Sequence, residues 1–134
     1  MSRRTVFDSS IVIGHLRRSK ASRSWDDVSE HMIVGWAEEL IEIHDTNAIV
    51  TPVKIELLAG VMSQLEGERT RQYLACFDCV DKGDIRSQDW VDAERIASRV
   101  PHNPQPRQLG DCLIRAIANL LRYDVLTRDL GFPR

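Results

Sequence analysis

Short apolar runs alternate with longer amphipathic stretches along this chain. Thr5 to Phe7 is a brief β-branched and aromatic run, and it stops at an acid, Asp8. Ser9 or Ser10 supplies a cap for a following helix that carries Ile11, Val12 and Leu16. Arg17 to Ser24 is polar and basic, the composition of a loop. Ser24 and Asp27 resemble a capping box. Val28, Met32, Trp36, Leu40 and Ile43 then recur at three- and four-residue steps, with Ile33, Ala37 and Ile41 widening the stripe. That spacing predicts an amphipathic helix ended by Asp45-Thr46-Asn47.

Ala48 to Thr51 reads as a short buried strand, with Pro52 at a helix start. A helix from Val53 to about Leu65 has Ile55, Leu58 and Met62 on one side, with a break at Gly67. Another runs from about Arg69 to Val80, with Tyr73, Cys76, Phe77 and Val80 on one face. Lys82-Gly83-Asp84 is a turn, Ile85 and Arg86 form a brief strand, and Ser87 caps a helix carrying Trp90, Val91, Ile96 and Val100. Pro101 to Pro106 is the one proline-rich loop, too short for a domain linker. Leu109 to Arg122 is the last long helix and Asp124 to Thr127 the last strand. Short strands alternating with helices imply an α/β fold with a short-stranded parallel sheet and helices on both faces.

Length and composition fit this picture. The 134 residues suit one domain, 1–134, and the 43% hydrophobic and 28% charged fractions are those of a globular chain. No apolar run is long enough to span a membrane and no signal-peptide region precedes the first strand, so a cytoplasmic protein is expected. Cys76, Cys79 and Cys112 are an odd count, read as buried or half-buried thiols rather than a disulfide framework or a zinc site.

The chemistry gathers on four acids. Asp8 ends the first strand. Glu56 lies one turn into the helix after the second, Asp111 opens the last long helix, and Asp129 follows the last strand. In an open parallel sheet, strand carboxyl ends and the helix starts after them share one rim, where ligands bind. Each acid taken alone is an ordinary cap or turn residue. Together, with Glu56 and Asp111 set in apolar sequence, they would repel unless a cation joined them. Mg²⁺ or Mn²⁺ takes oxygen ligands of this kind and activates water against a phosphodiester. His15, His31, His44 and His102 are scattered and read as surface or partly buried residues.

The net charge is −2, and setting four ligand acids aside leaves the remainder positive. Arg17, Arg18, Lys20 and Arg23 cluster after the first helix. They suit a phosphate backbone, or simply the negative end of a helix dipole.

Four segments in order resemble the PIN-domain ribonucleases, specifically the VapC-type toxins of toxin–antitoxin pairs. They are Val6-Phe7-Asp8-Ser9-Ser10, Thr51 to Gly60 around Glu56, Gly110-Asp111-Cys112-Leu113-Ile114, and Leu126-Thr127-Arg128-Asp129-Leu130-Gly131-Phe132. The resemblance implies a PIN-like three-layer α/β/α sandwich and a metal site of Asp8, Glu56, Asp111 and Asp129, steadied by Ser10 and Thr127. It also implies a Mg²⁺- or Mn²⁺-dependent endoribonuclease, a homodimer, an RNA substrate and a small antitoxin partner. The stripe from Val28 to Ile43 would be part of that partner's groove, or plain core. The last motif lacks the histidine often found before its phenylalanine. The chain also stops at Arg134, where relatives often continue into another strand. Two other readings stand beside this one. The first is a non-catalytic PIN-like module that binds RNA or protein. The second makes Asp8 a phosphoryl acceptor, though that chemistry wants an acid at position 10, where this chain has Ser10.

Overall fold

The computed structural model describes residues 4–99 and 109–133. Four short strands, β1 (Arg4–Phe7), β2 (Ala48–Ile49), β3 (Asp78–Cys79) and β4 (Tyr123–Leu126), form an all-parallel sheet in the order β3-β2-β1-β4. Between them run α1 (Ser9–Lys20), α2 (Glu30–His44), α3 (Thr51–Ala59), α4 (Gln64–Leu74), α5 (Ser87–Arg99) and α6 (Leu109–Leu121). The arrangement is mixed α/β and compatible with an α/β sandwich. No helix among the described residues is long and apolar enough to cross a membrane.

The register levels the strand ends. Phe7 pairs with Leu126, Val6 with Ala48 and Ile49 with Cys79. Asp8, Thr51, Asp81 and Thr127 therefore emerge on one edge, within two residues of their strands. The core lies where apolar runs of strands and helices meet: Val6, Phe7, Val12, Ile33, Ile49, Val50, Val53, Ile114 and Ile117 are buried. Phe7 packs edge-on against Phe77, with ring centroids 5.9 Å apart. A buried aromatic pair of this geometry contributes roughly 0.5–1.5 kcal/mol beyond its area.

Several boundaries differ from the sequence reading. Ser24 caps only a 3-10 turn at Trp25–Asp27, accepting from the Asp26 amide, while Ser29 caps α2 by accepting from the Met32 amide. Val28 thus precedes α2 but is still buried. The stripe that follows it is core through Ile33, Ala37 and Leu40, whereas Ile43 is exposed. The helix expected over 53–65 ends at Ala59, because Ser63 starts a new one. Ser63 Oγ accepts from the Glu66 amide, and Glu66 Oε1 accepts from the Met62 amide. Gly67 lies inside α4, not at a break, and Ile55 and Met62 are exposed rather than packed.

β3 falls where a continuous helix to Val80 was expected. The amides of Asp78 and Val80 donate to the Asn47 and Ile49 carbonyls. Ile85 and Arg86 are not strand, and Trp90 and Val91 are exposed. α1 continues through the expected loop start to Lys20. The proline-rich loop, His102 and Val100 lie outside the described residues.

A buried carboxylate, Asp81, ties the end of β3 to the start of α3. It accepts from the Thr51 amide and hydroxyl, the Cys79 thiol and the Gly83 amide. Burial pushes its carboxyl up, but the bonds from Cys79, Thr51 and Gly83 outweigh it and hold the group below the usual range. The Cys79 thiol is pushed up, chiefly by burial, so it is a structural donor here and not a nucleophile. None of the three cysteines forms a disulfide; Cys112 is buried and the other two half-buried.

His15, expected at the surface or partly covered, is buried. Its Nδ1 lies 2.8 Å from the Tyr73 hydroxyl, and Nε2 lies 3.6 Å from Glu39 Oε1. Burial lowers its pKa. Glu39 pulls the other way, and Arg18 and His44 add to the lowering. The unfolded chain therefore binds a proton, at about pH 6.5, that the folded chain refuses. Stability falls as the pH drops through that value. Thermal melts should show Tm declining between about pH 7.5 and 5, with His15→Gln flattening the decline; an unchanged slope would remove His15 from this role.

Candidate active site on the sheet edge

Asp8 follows β1, and its amide extends the ladder by donating to the Leu126 carbonyl at 2.8 Å. Its backbone is extended (φ −75°, ψ 158°) at the N-cap position of α1, but the side chain makes no cap bond. The carboxylate turns across to β4 instead. Oδ2 accepts from the Ser10 hydroxyl at 2.9 Å and the Thr127 hydroxyl at 2.7 Å.

Those two donors are themselves oriented. The Arg128 amide donates to Ser10 Oγ and the Asp129 amide to Thr127 Oγ1, so each hydroxyl proton is free to face Asp8. Asp8 is 2% exposed, and its Oδ1 is buried with no hydrogen-bond partner. A buried acceptor left in that state costs about 1–3 kcal/mol, more when charged.

Glu56 faces the same point from α3. Its carboxyl is half-buried and pushed above the usual range, first by burial; the Ser9 hydroxyl opposes this and the Asp8 charge adds to it. The first turn of α6 closes the other side, where a Cβ on Gly110 would collide with Glu56 Oε1. Asp111 is the next residue, half-buried in that turn and already engaged in an interaction.

Asp129 behaves differently. It is exposed, and its Oδ1 accepts from the Gly131 amide at 2.9 Å, an Asx-type turn. Its backbone rather than its carboxylate is tied into the Asp8 network. Among the described residues no group of three or more His, Cys, Asp or Glu side chains is placed to hold a metal ion. The fold brings Asp8 and Glu56 together with Ser10 and Thr127, and sets Asp111 one residue from the contact. It does not gather all four acids into one cage.

Comparison with family models, curated proteins and solved structures finds no match to this chain. The geometry alone has to answer whether a cation fits. Neither Asp8 nor Glu56 makes an ion pair among the described residues, and one buried oxygen of Asp8 is unpartnered. Mg²⁺ usually takes only one or two carboxylates and completes its shell with water and substrate phosphate. The Asp8–Glu56 pair fits such an ion.

A cleft of about 100 Å³ leads away from Glu56 between α1, α3 and α4, and Arg17, Lys20 and Trp25 line it. The cations named from sequence divide here. Arg17 and Lys20 face the cleft. Arg18 instead approaches Gly14, and Arg23 donates to the Ser19 and Lys20 carbonyls at the end of α1. From the sequence, Trp25 was not named, Ser9 was read only as a helix cap, and Gly110 stood only as a motif neighbour of Asp111. Gly110 carries the clearest signal, since it stands beside an acid at a helix start.

Thr127→Val keeps shape but removes one of the two hydroxyls fixing Asp8. Loss of an orienting partner of this kind costs about 10–100-fold in metal affinity or activity. If Asp8 holds an ion, Mn²⁺ affinity is expected to fall by that factor while the fold is kept. Unchanged affinity would mean Thr127 does not position Asp8.

Proposed function

We propose that this chain is a Mg²⁺- or Mn²⁺-dependent endoribonuclease of the PIN-like type, acting as the toxin of a type II toxin–antitoxin pair. The observation that carries the reading is the state of Asp8: buried at the end of β1, pinned through one oxygen, unpartnered at the other, and faced by Glu56. The ordered set of four acidic motifs supports it independently.

Asp8 and Glu56 would hold the ion, with Asp111 in the helix turn whose Gly110 abuts Glu56. A bound divalent ion of this class supplies a reactive water for in-line attack and stabilises the leaving oxygen. Ser10 and Thr127 keep Asp8 in one orientation, so no reorganisation is needed when the substrate arrives. Gly110 leaves room for the Glu56 carboxylate where any side chain would fill it. A homodimer and a small antitoxin that blocks the site belong to the same proposal and rest on the resemblance.

The competing reading, a non-catalytic PIN-like binding module, draws on the lack of any group of three or more metal-ligating side chains among the described residues. Incubation of purified protein with single-stranded RNA separates them. Cleavage should require added Mg²⁺ or Mn²⁺ and stop in excess chelator. Equal cleavage in chelator would refute the metal mechanism, and RNA left intact with either ion would favour the binding module.

A further inference from the structure

Resting on the reading of Asp8 and Glu56 as metal ligands, we infer that Asp81 is a positioning residue for Glu56. Its carboxylate fastens the start of α3 to the end of β3 and so sets where Glu56 stands beside Asp8.

α3 has little else to fix its orientation. It is nine residues long, and Val50 at its N-cap position supplies no side-chain hydrogen bond. Pro52, Val53 and Leu57 are buried, while Lys54, Ile55 and Ala59 are exposed. Apolar burial is non-directional, so it holds the helix down without fixing its rotation about its own axis. Hydrogen bonds are directional, and Asp81 brings two of them to Thr51, the first residue of α3. Oδ2 accepts from the Thr51 amide at 3.0 Å and Oδ1 from the Thr51 hydroxyl at 2.7 Å.

Asp81 is held in turn. It is buried, and Oδ1 also accepts from the Cys79 thiol at 3.0 Å and the Gly83 amide at 3.3 Å. The chain behind it turns sharply: Lys82 and Gly83 have φ of 56° and 75°, a conformation that lysine rarely adopts. The Asp84 amide closes that turn on the Asp81 carbonyl. Asp81 forms no ion pair among the described residues, so no cation draws the carboxylate away from α3.

The lever from Thr51 to Glu56 is short. A side-chain group about 5–6 Å from a helix axis moves about 1 Å when the helix turns by roughly 10°. The Glu56 carboxylate has little room for such a shift, since it abuts Gly110 of α6. Asp81 fixes the rotation of α3, and Gly110 leaves the space into which that rotation aims Glu56.

The test compares Asp81→Asn with Thr51→Ser in the full chain. An amide cannot accept on both sides. With its oxygen toward Cys79 and Gly83, its nitrogen meets the Thr51 amide donor to donor. Thr51→Ser keeps both bonds. The nuclear Overhauser contact between the Glu56 side chain and the Gly110 Hα reads the position of Glu56, and calorimetry reads Mn²⁺ affinity. Asp81→Asn should lose the contact and bind Mn²⁺ about 10–100-fold more weakly, with Thr51→Ser unchanged in both. Leu40→Ala, on the buried face of α2, is the control for lost stability and should bind Mn²⁺ like the native chain below its Tm. If Asp81→Asn does not fold, Thr51→Val removes the hydroxyl bond alone and should show the same losses in smaller measure.

A native contact and native Mn²⁺ affinity in Asp81→Asn would overturn the inference and leave the metal reading in place. Equal weakening by Leu40→Ala would also overturn it, reducing Asp81 to a stability residue. A native chain that binds no Mn²⁺ removes the metal reading; loss of the Glu56–Gly110 contact in Asp81→Asn would then still uphold the placement of Glu56 by Asp81.

Discussion

Asp8→Asn is expected to reduce metal-dependent RNA cleavage by more than about a hundredfold, since losing even an orienting partner of a metal ligand costs 10–100-fold. The substitution is nearly isosteric, and its remaining oxygen can still accept from the Ser10 and Thr127 hydroxyls. What disappears is the charge. Asp8 is buried, with no ion pair among the described residues and an unpartnered Oδ1. A carboxylate oxygen buried without a partner costs the fold rather than stabilising it. Tm should therefore hold or rise while activity is lost. Steady-state cleavage together with a thermal melt reads both. A parallel fall in Tm and activity would mean Asp8 is structural.

Gly110→Ala carries the second large effect. Its backbone is not in the left-handed region, so alanine fits the helix, and alanine is the better helix former by up to about 1 kcal/mol. The added methyl meets only the end of the Glu56 side chain, which can swing away. The fold should keep or gain stability while the Glu56 carboxylate leaves its place beside Asp8. A displacement of about 1 Å in a reacting group can cost about a hundredfold, so turnover should fall tenfold to a hundredfold. Gly35→Ala is the control. It lies in α2 with nothing within 4 Å, so it tests helix propensity alone and should leave turnover unchanged. Equal activity for both variants would dissociate Glu56 from the reaction.

The parts of the fold that could be read from sequence are those with a repeating physical signal. The α2 stripe and the α6 apolar face repeat every three or four residues, and apart from Ile43 both pack in or against the core. β1 and β4 are long enough to show as β-branched or aromatic runs. β3 is only two residues, Asp78–Cys79, and neither alternation nor propensity can speak over that length. It was absorbed into the neighbouring helical pattern. The α3–α4 boundary was available in Ser63-Gln64-Leu65-Glu66, a capping sequence that outweighs the single glycine at 67.

The site divides in the same way. Asp8, Ser10 and Thr127 could be placed because the ends of adjacent parallel strands must be level, and the register makes them so. Glu56 could be placed because it lies one turn into the helix that follows β2. Asp129 shows the limit: proximity of the backbone did not fix its carboxylate, which local turn geometry directed to the Gly131 amide. Trp25 was hidden because a lone aromatic in a polar stretch has no periodicity to announce it. The buried His15–Tyr73 contact joins residues 58 apart, and nothing local marks either one.

Calorimetric titration of the purified chain with Mn²⁺ tests the central claim most directly, because it measures the ion at the acid pair without reference to RNA. Native protein should bind saturably, and Asp8→Asn and Glu56→Gln should each abolish that binding while both variants remain folded. Absence of binding by the native chain, or binding that survives both substitutions, would contradict the account.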